Sequence, residues 1–140
     1  MSIEIKDLDG GLGTFILGSG VLDDEEYLET FRMLLLQDEI KFRKYRYSLC
    51  DWTQLIQVNI SINAAQEVAN LCKIASSVNS NLVIGVVAKS DLAFGLSRMS
   101  QILMVETGWD HKVFRNRGDA EEWIKAKVYE KYGIDDLIMA

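Results

Sequence analysis

The sequence predicts an α/β domain built on a mainly parallel five-stranded sheet, with one antiparallel strand supplied by an N-terminal hairpin and elements in the order β-β-α-β-α-β-α-β-α. Three observations carry this. Strand-like and helix-like patterns alternate along residues 45–132, as they do when helical crossovers join parallel strands. Residues 82–88, LVIGVVA, form a continuous apolar run, the pattern of a strand covered on both faces. Residues 3–17 instead alternate in polarity around a glycine-rich turn, as a hairpin does.

At the start of the chain, Ile3 and Ile5 face one way and Glu4 and Lys6 the other, and Asp9-Gly10-Gly11 offers a turn tolerant of positive φ. Residues 14–17 are the second strand, which Gly18-Ser19-Gly20 is expected to end. Asp23 with Glu26 makes an approximate capping box, and Asp24, Glu25 and Glu26 suit the positive end of a helix dipole. A helix is therefore expected over 24–37, with Tyr27, Phe31, Leu34 and Leu35 inward. Residues 45–52 are rich in β-formers and read as a third strand, followed by a polar interruption at Thr53-Gln54. Ser61 and Asn63 are both candidate caps for a helix running to about residue 78, with Val68, Leu71, Cys72 and Ala75 as its buried stripe. After the strand at 82–88, Asp91 is expected to cap a helix over 92–107 that Gly108 stops. Val113 and Phe114 centre the fifth strand, and residues 119–132 form the last helix, with Ala120, Trp123, Ile124 and Val128 inward and Gly133 as its end.

A chain of 140 residues, 49% of them hydrophobic, is expected to make one domain spanning residues 1–140 with an ample core. Fifteen Lys and Arg against 21 Asp and Glu leave a net charge of −6, which argues against general binding to nucleic acid or an anionic membrane. Cys50 and Cys72 fall inside a strand and a helix, which suits buried free thiols in a reducing cytosol. Charges in MSIEIKDLDG leave no apolar stretch for a signal peptide, and the longest apolar runs, 33–36 and 82–88, are too short to cross a membrane. The expectation is a cytoplasmic protein with no transmembrane segment.

Tests for chemistry turn up little. The glycines at 10, 11, 13, 18 and 20 lack a phosphate loop's spacing and precede a strand rather than open a helix. His111 is the lone histidine and reads as an ordinary surface or strand-end residue. A Cys-His pair with Cys50 needs two separate strands to bring them together, and neither cysteine opens a helix. One histidine and two separated cysteines are too few for zinc. The segment KFRKYR interleaves Lys41, Arg43, Lys44 and Arg46 with Phe42 and Tyr45, as a nucleic-acid contact does, but it reads equally as a solvated loop leading into the third strand. No catalytic residue, cofactor or metal site is expected.

The stretch from 92 to 107 is the least usual, because Leu92, Phe94, Leu96, Met99, Ile102, Leu103, Met104 and Val105 spread apolar side chains around much of a helix. Such a helix is either sandwiched or meets a partner.

In its layout and in the strings CDWTQL, VIGVVAKSDLAFGLSRM and HKVFRNRGDAEEWI, the chain resembles the STAS domains, the anti-sigma-factor antagonist family, and within it the bacterial SpoIIAA-like, or STAS/Sec14-like, branch. The resemblance covers nearly the entire chain. It implies a SpoIIAA-like (β/α) superhelix with no cofactor and no enzymatic activity. It also implies a serine before the second long helix that a partner kinase phosphorylates. The matching stretch is Asn59-Ile60-Ser61-Ile62, in which only Ser61 keeps a hydroxyl, as a phospho-acceptor or as a helix cap. The Sec14-like side implies an apolar pocket walled by Leu96, Met99, Leu103 and Trp109, which would show as unfilled volume beneath the 92–107 helix.

The leading expectation is a non-enzymatic regulatory module that binds a protein partner or itself, as a homodimer through the apolar helix. Its contact surface would sit at the carboxyl ends of the strands, with Asp51, Thr53, Lys89 and Asp91 in it. The alternative is a carrier or sensor of a lipid or other small apolar ligand.

Overall fold

Five strands lie side by side in the order of the chain in the computed structural model, which describes residues 2–139. β1 (Ile3–Leu8) runs antiparallel to β2 (Gly13–Asp23), whereas β2, β3 (Tyr47–Asn59), β4 (Val83–Val87) and β5 (Asp110–Phe114) are parallel. Parallel neighbours need long connections. These are α1 (Asp24–Leu36) with the short α2 (Glu39–Lys44), then α3 (Ile62–Ala75), then α4 (Asp91–Leu103).

Period-two alternation along each strand divides the sheet's side chains between two cores. Ile16, Cys50, Ile84 and Val86 meet α1, α3 and α4 on one face. Phe15, Tyr47, Leu49, Val83 and Val87 meet α5 (Arg117–Tyr132) on the other, through Ala120, Ile124 and Val128. All of β4 is buried, as its apolar run predicts, and complete burial of each Val or Ile contributes about 1.5–3 kcal/mol. Gly85 lets α5 sit directly on the β4 backbone, since a Cβ there would lie 2.7 Å from Ile124 Cδ1. Beyond α5, Leu137 and Met139 return to this second core. The Asp9 carboxylate accepts hydrogen bonds from the Ile138 and Met139 amides at 2.8 and 3.2 Å and from the Tyr47 hydroxyl. Burial works against the charge on Asp9, but those bonds hold its carboxyl below the usual range.

Several expected boundaries change, each for a local reason. Gly18-Ser19-Gly20 does not end β2, and Thr53-Gln54 does not end β3, because both strands run on as a pair to Asp23 and Asn59. The polar residues mark a bulge instead: the register moves from Leu17 opposite Asp51 to Ser19 opposite Gln54, and moves again between Gly20 and Val21. Asp51 Oδ1 serves the bulge, accepting from the Thr53 amide at 2.9 Å and the Thr53 hydroxyl at 2.6 Å. Gly18 is there because the Trp52 ring lies over it, 2.5 Å from where a Cβ would be.

KFRKYR is not a solvated loop. Asp38 caps α2 by accepting from the Lys41 amide at 3.0 Å, and Phe42 and Tyr45 are buried. Lys41 pairs with Asp7 and Arg43 with Glu39, while the Arg46 guanidinium stacks on Tyr132, so the aromatic rings that would stack on bases are sealed in the core. The cap of α4 is Ser90, whose Oγ accepts from the Ala93 amide at 3.1 Å, with Asp91 as the first helical residue. α4 stops at Leu103, before a single 3-10 turn at Val105–Thr107, and α5 begins at Arg117 because Asn116 caps it.

Candidate ligand cavity

α1, α3 and α4 leave a cavity of about 110 Å³ between themselves and the sheet. The cause is local. α4 turns Ala93, Ser97 and Ser100 toward the sheet at helical spacings of four and three, and these side chains are too small to fill the space beneath them. Tyr27, Phe31 and Leu34 of α1 and Val68 and Cys72 of α3 close the sides.

Of the four residues expected to wall an apolar pocket, Leu96, Met99 and Trp109 do so. Leu103 packs against the same core without lining the cavity. Trp109 is fixed in place because its indole Nε1 donates to the Asn79 carbonyl at 2.7 Å.

The floor carries a polar row. Parallel pairing places Thr14 opposite Ser48, Ser48 opposite Ile84 and Ile84 opposite His111, and all four line the cavity. Thr14 Oγ1 and both ring nitrogens of His111 are buried without a hydrogen-bond partner. The Ser48 hydroxyl has only the Cys50 sulfur, at 3.7 Å. An unsatisfied buried group costs about 1–3 kcal/mol, and such groups are rare in folded proteins. Burial pushes the His111 imidazole down to about 4, so it is neutral at pH 7.

His111 is thus not the surface or strand-end residue that the sequence suggested. β5 begins at Asp110, ahead of its expected centre, and alternation then sends His111 inward beside Val113. The same alternation pairs Thr14 with Ile16 and Ser48 with Cys50 on the inner face, a signal that was present in the sequence.

His111 and Cys50 share this face without forming a pair. β4 runs between their strands, which separates them by about 10 Å, well beyond hydrogen-bond reach. Burial pushes both the Cys50 and the Cys72 thiol up to about 12, so neither is a thiolate near neutrality. Among the described residues, no three His, Cys, Asp or Glu side chains come together as a metal site.

The remaining candidates lie apart from the cavity. Ser61 caps α3, its Oγ accepting from the Ala64 amide at 3.1 Å. Its own amide and hydroxyl donate to the two Asp24 oxygens, each at 2.7 Å, and these bonds hold the Asp24 carboxyl below the usual range. Lys89 and Asp91 are exposed and tied together by Arg115, which donates to the Lys89 carbonyl and to Asp91 Oδ1, both at 3.0 Å. Asp51 is buried rather than on the surface, and Thr53 occupies one of its oxygens.

No protein-family model and no curated protein matches the sequence. A solved structure does: an uncharacterised protein of the DUF3478 family with a SpoIIAA-like fold, from Shewanella loihica PV-4, is 21% identical, with 87% of this chain and 91% of that chain covered at a TM-score of 0.53. The chain has a SpoIIAA-like fold. The fold implied by the sequence resemblance is therefore the fold observed. Among the described residues, no helix of this SpoIIAA-like chain is long and apolar enough to cross a membrane.

Proposed function

We propose that this is a non-enzymatic, cytoplasmic STAS-type binding module whose task is to hold a small apolar ligand in the cavity under α1, α3 and α4. The cavity carries the reading. Ligand sites are concave and mostly apolar, with a few placed polar groups, and this one is apolar apart from its floor row and a few hydroxyls. A void of about 110 Å³ is close in size to the ~150 Å³ apolar cavity that takes up benzene in another protein. That suits a small ring, or the tip of a larger lipid, rather than a whole acyl chain. The absence of a thiolate and of a Cys-His pair supports a binding role over catalysis.

A second reading, binding of a protein partner or of a second copy, draws on apolar residues that α4 and its following turn leave outside. Leu92, Ile102 and Val105 are 61%, 68% and 71% exposed. Native mass spectrometry of the purified protein separates the two. Extra mass that leaves on denaturation is the expected result, and a ligand-free dimer would turn the function toward partner binding. A covalent gain of about 80 Da on Ser61, the mass of a phosphoryl group, would instead make the module a phosphoswitch.

A further inference from the structure

The ligand reading leaves open what distinguishes this cavity from a simple oily void. Its floor row is the distinguishing feature. Thr14 and Ser48 are neighbours on β2 and β3, His111 lies on β5 with Ile84 of β4 between it and Ser48, and all of them line the same space. Three of their polar atoms, Thr14 Oγ1 and the two His111 nitrogens, are buried with nothing to bond. A neutral imidazole offers one donor and one acceptor, and a threonine hydroxyl offers both. No Lys, Arg, Asp or Glu is among the residues lining the cavity. A charged ligand would therefore arrive without a counter-charge and lose its hydration.

We infer that His111, at one end of this row, is a polar anchor that selects an uncharged ligand carrying a hydroxyl on a small apolar body, a phenol or a short alcohol, over hydrocarbons and carboxylates of the same size. Thr14 and His111 stand three strands, about 14 Å, apart, so one hydroxyl serves one end of the row: at His111 it donates to the bare imidazole nitrogen or accepts from the ring N–H. A carboxylate can only accept, and a hydrocarbon leaves the whole row unpaired. This inference rests on the ligand reading of the cavity and adds the chemistry of its occupant.

Three probes of matched size test it: phenol, toluene and benzoate, titrated into the full chain and followed by NMR. Because His111 is the lone histidine, its ring signals report contact at the anchor without ambiguity. Phenol is expected to bind at least tenfold more tightly than toluene and to shift the His111 ring resonances, with benzoate showing no binding. His111→Leu is expected to bring phenol to the level of toluene while toluene binding persists. His111→Phe, close in size and without a hydrogen-bonding ring atom, is expected to do the same and serves as the independent variant if His111→Leu folds poorly. Equal binding of phenol and toluene to the unaltered protein, or a preference that survives both substitutions, would overturn the anchor and leave the cavity reading intact. Failure of both phenol and toluene to bind would overturn the two together.

Discussion

Trp109 hangs from Asn79, its indole Nε1 donating to the Asn79 main-chain carbonyl at 2.7 Å. The Asn79 side chain reaches the other way, donating to the Phe42 and Tyr45 carbonyls at 3.0 and 2.7 Å. One buried residue therefore ties the end of α2 to the segment that leads into β5. Asn79→Ala keeps the bond to Trp109 and leaves the Phe42 and Tyr45 carbonyls with only the longer bonds from the Tyr45 amide at 3.3 Å and the Arg46 guanidinium at 3.2 Å, at a cost of about 1–2 kcal/mol. Urea unfolding followed by tryptophan fluorescence measures it; a loss under about 0.5 kcal/mol, the size of an ordinary surface change, would mean that the clamp does not hold in solution.

Stability is expected to depend on pH through His111. Its imidazole is held at about 4 in the folded chain, against an ordinary value of 6.5. Between those values the unfolded chain binds a proton that the folded chain does not, so stability is complete above 6.5 and falls as the pH falls toward 4. The total loss from this residue is about 3 kcal/mol. Denaturant midpoints across that range should fall steeply for the native sequence and less steeply for His111→Leu; identical slopes would show an imidazole already able to charge in the fold.

Gly18→Ala is expected to destabilise by about 1–3 kcal/mol, because the added methyl meets the Trp52 ring and forces a rearrangement. Pairing it with Trp52→Leu should recover part of the loss. Thermal melts of the two single variants and the double variant provide the comparison, and strict additivity would count against direct contact.

The thiols should be inert. With both Cys50 and Cys72 pushed up to about 12 by burial, a water-soluble disulfide reagent at pH 7.5 is expected to label the native protein only at the rate of its unfolding and to label both groups at once in denaturant. Fast labelling of Cys50 alone would reopen the question of a reactive nucleophile.

The sheet was readable because its evidence is local and repeated. LVIGVVA could only be a strand buried on two faces, and the stripes Tyr27-Phe31-Leu34 and Ala120-Ile124-Val128 declared their helices by spacing alone. Thr53-Gln54 was misread because a bulge and a strand end use the same polar residues, and only the partner strand tells them apart. The cavity walls Leu96, Met99 and Trp109 were legible as an apolar excess that one helix face could not absorb. The floor was not. Thr14, Ser48 and His111 lie far apart in sequence and come to share one cavity floor only through the register of four strands, and a polar residue at an inward position looks unremarkable until its missing partners are known.

The outer halves of β2 and β3 have a further consequence. Among the described residues, β1 pairs with β2 as far as Gly18, Ser2 bonds on to Ser19 and Val21, and β4 pairs with β3 only as far as Asp51. Residues 19–23 and 54–59 therefore continue as a two-stranded ribbon whose β3 edge has no strand beside it, and Ile56 on it is 87% exposed. Open edges of this kind invite a strand from another molecule, the first step of edge-to-edge aggregation. The two register shifts blunt that hazard, since each breaks the even spacing of amides and carbonyls that an incoming strand would need to match. Irregularity here protects solubility, and straightening the ribbon would put that protection at risk.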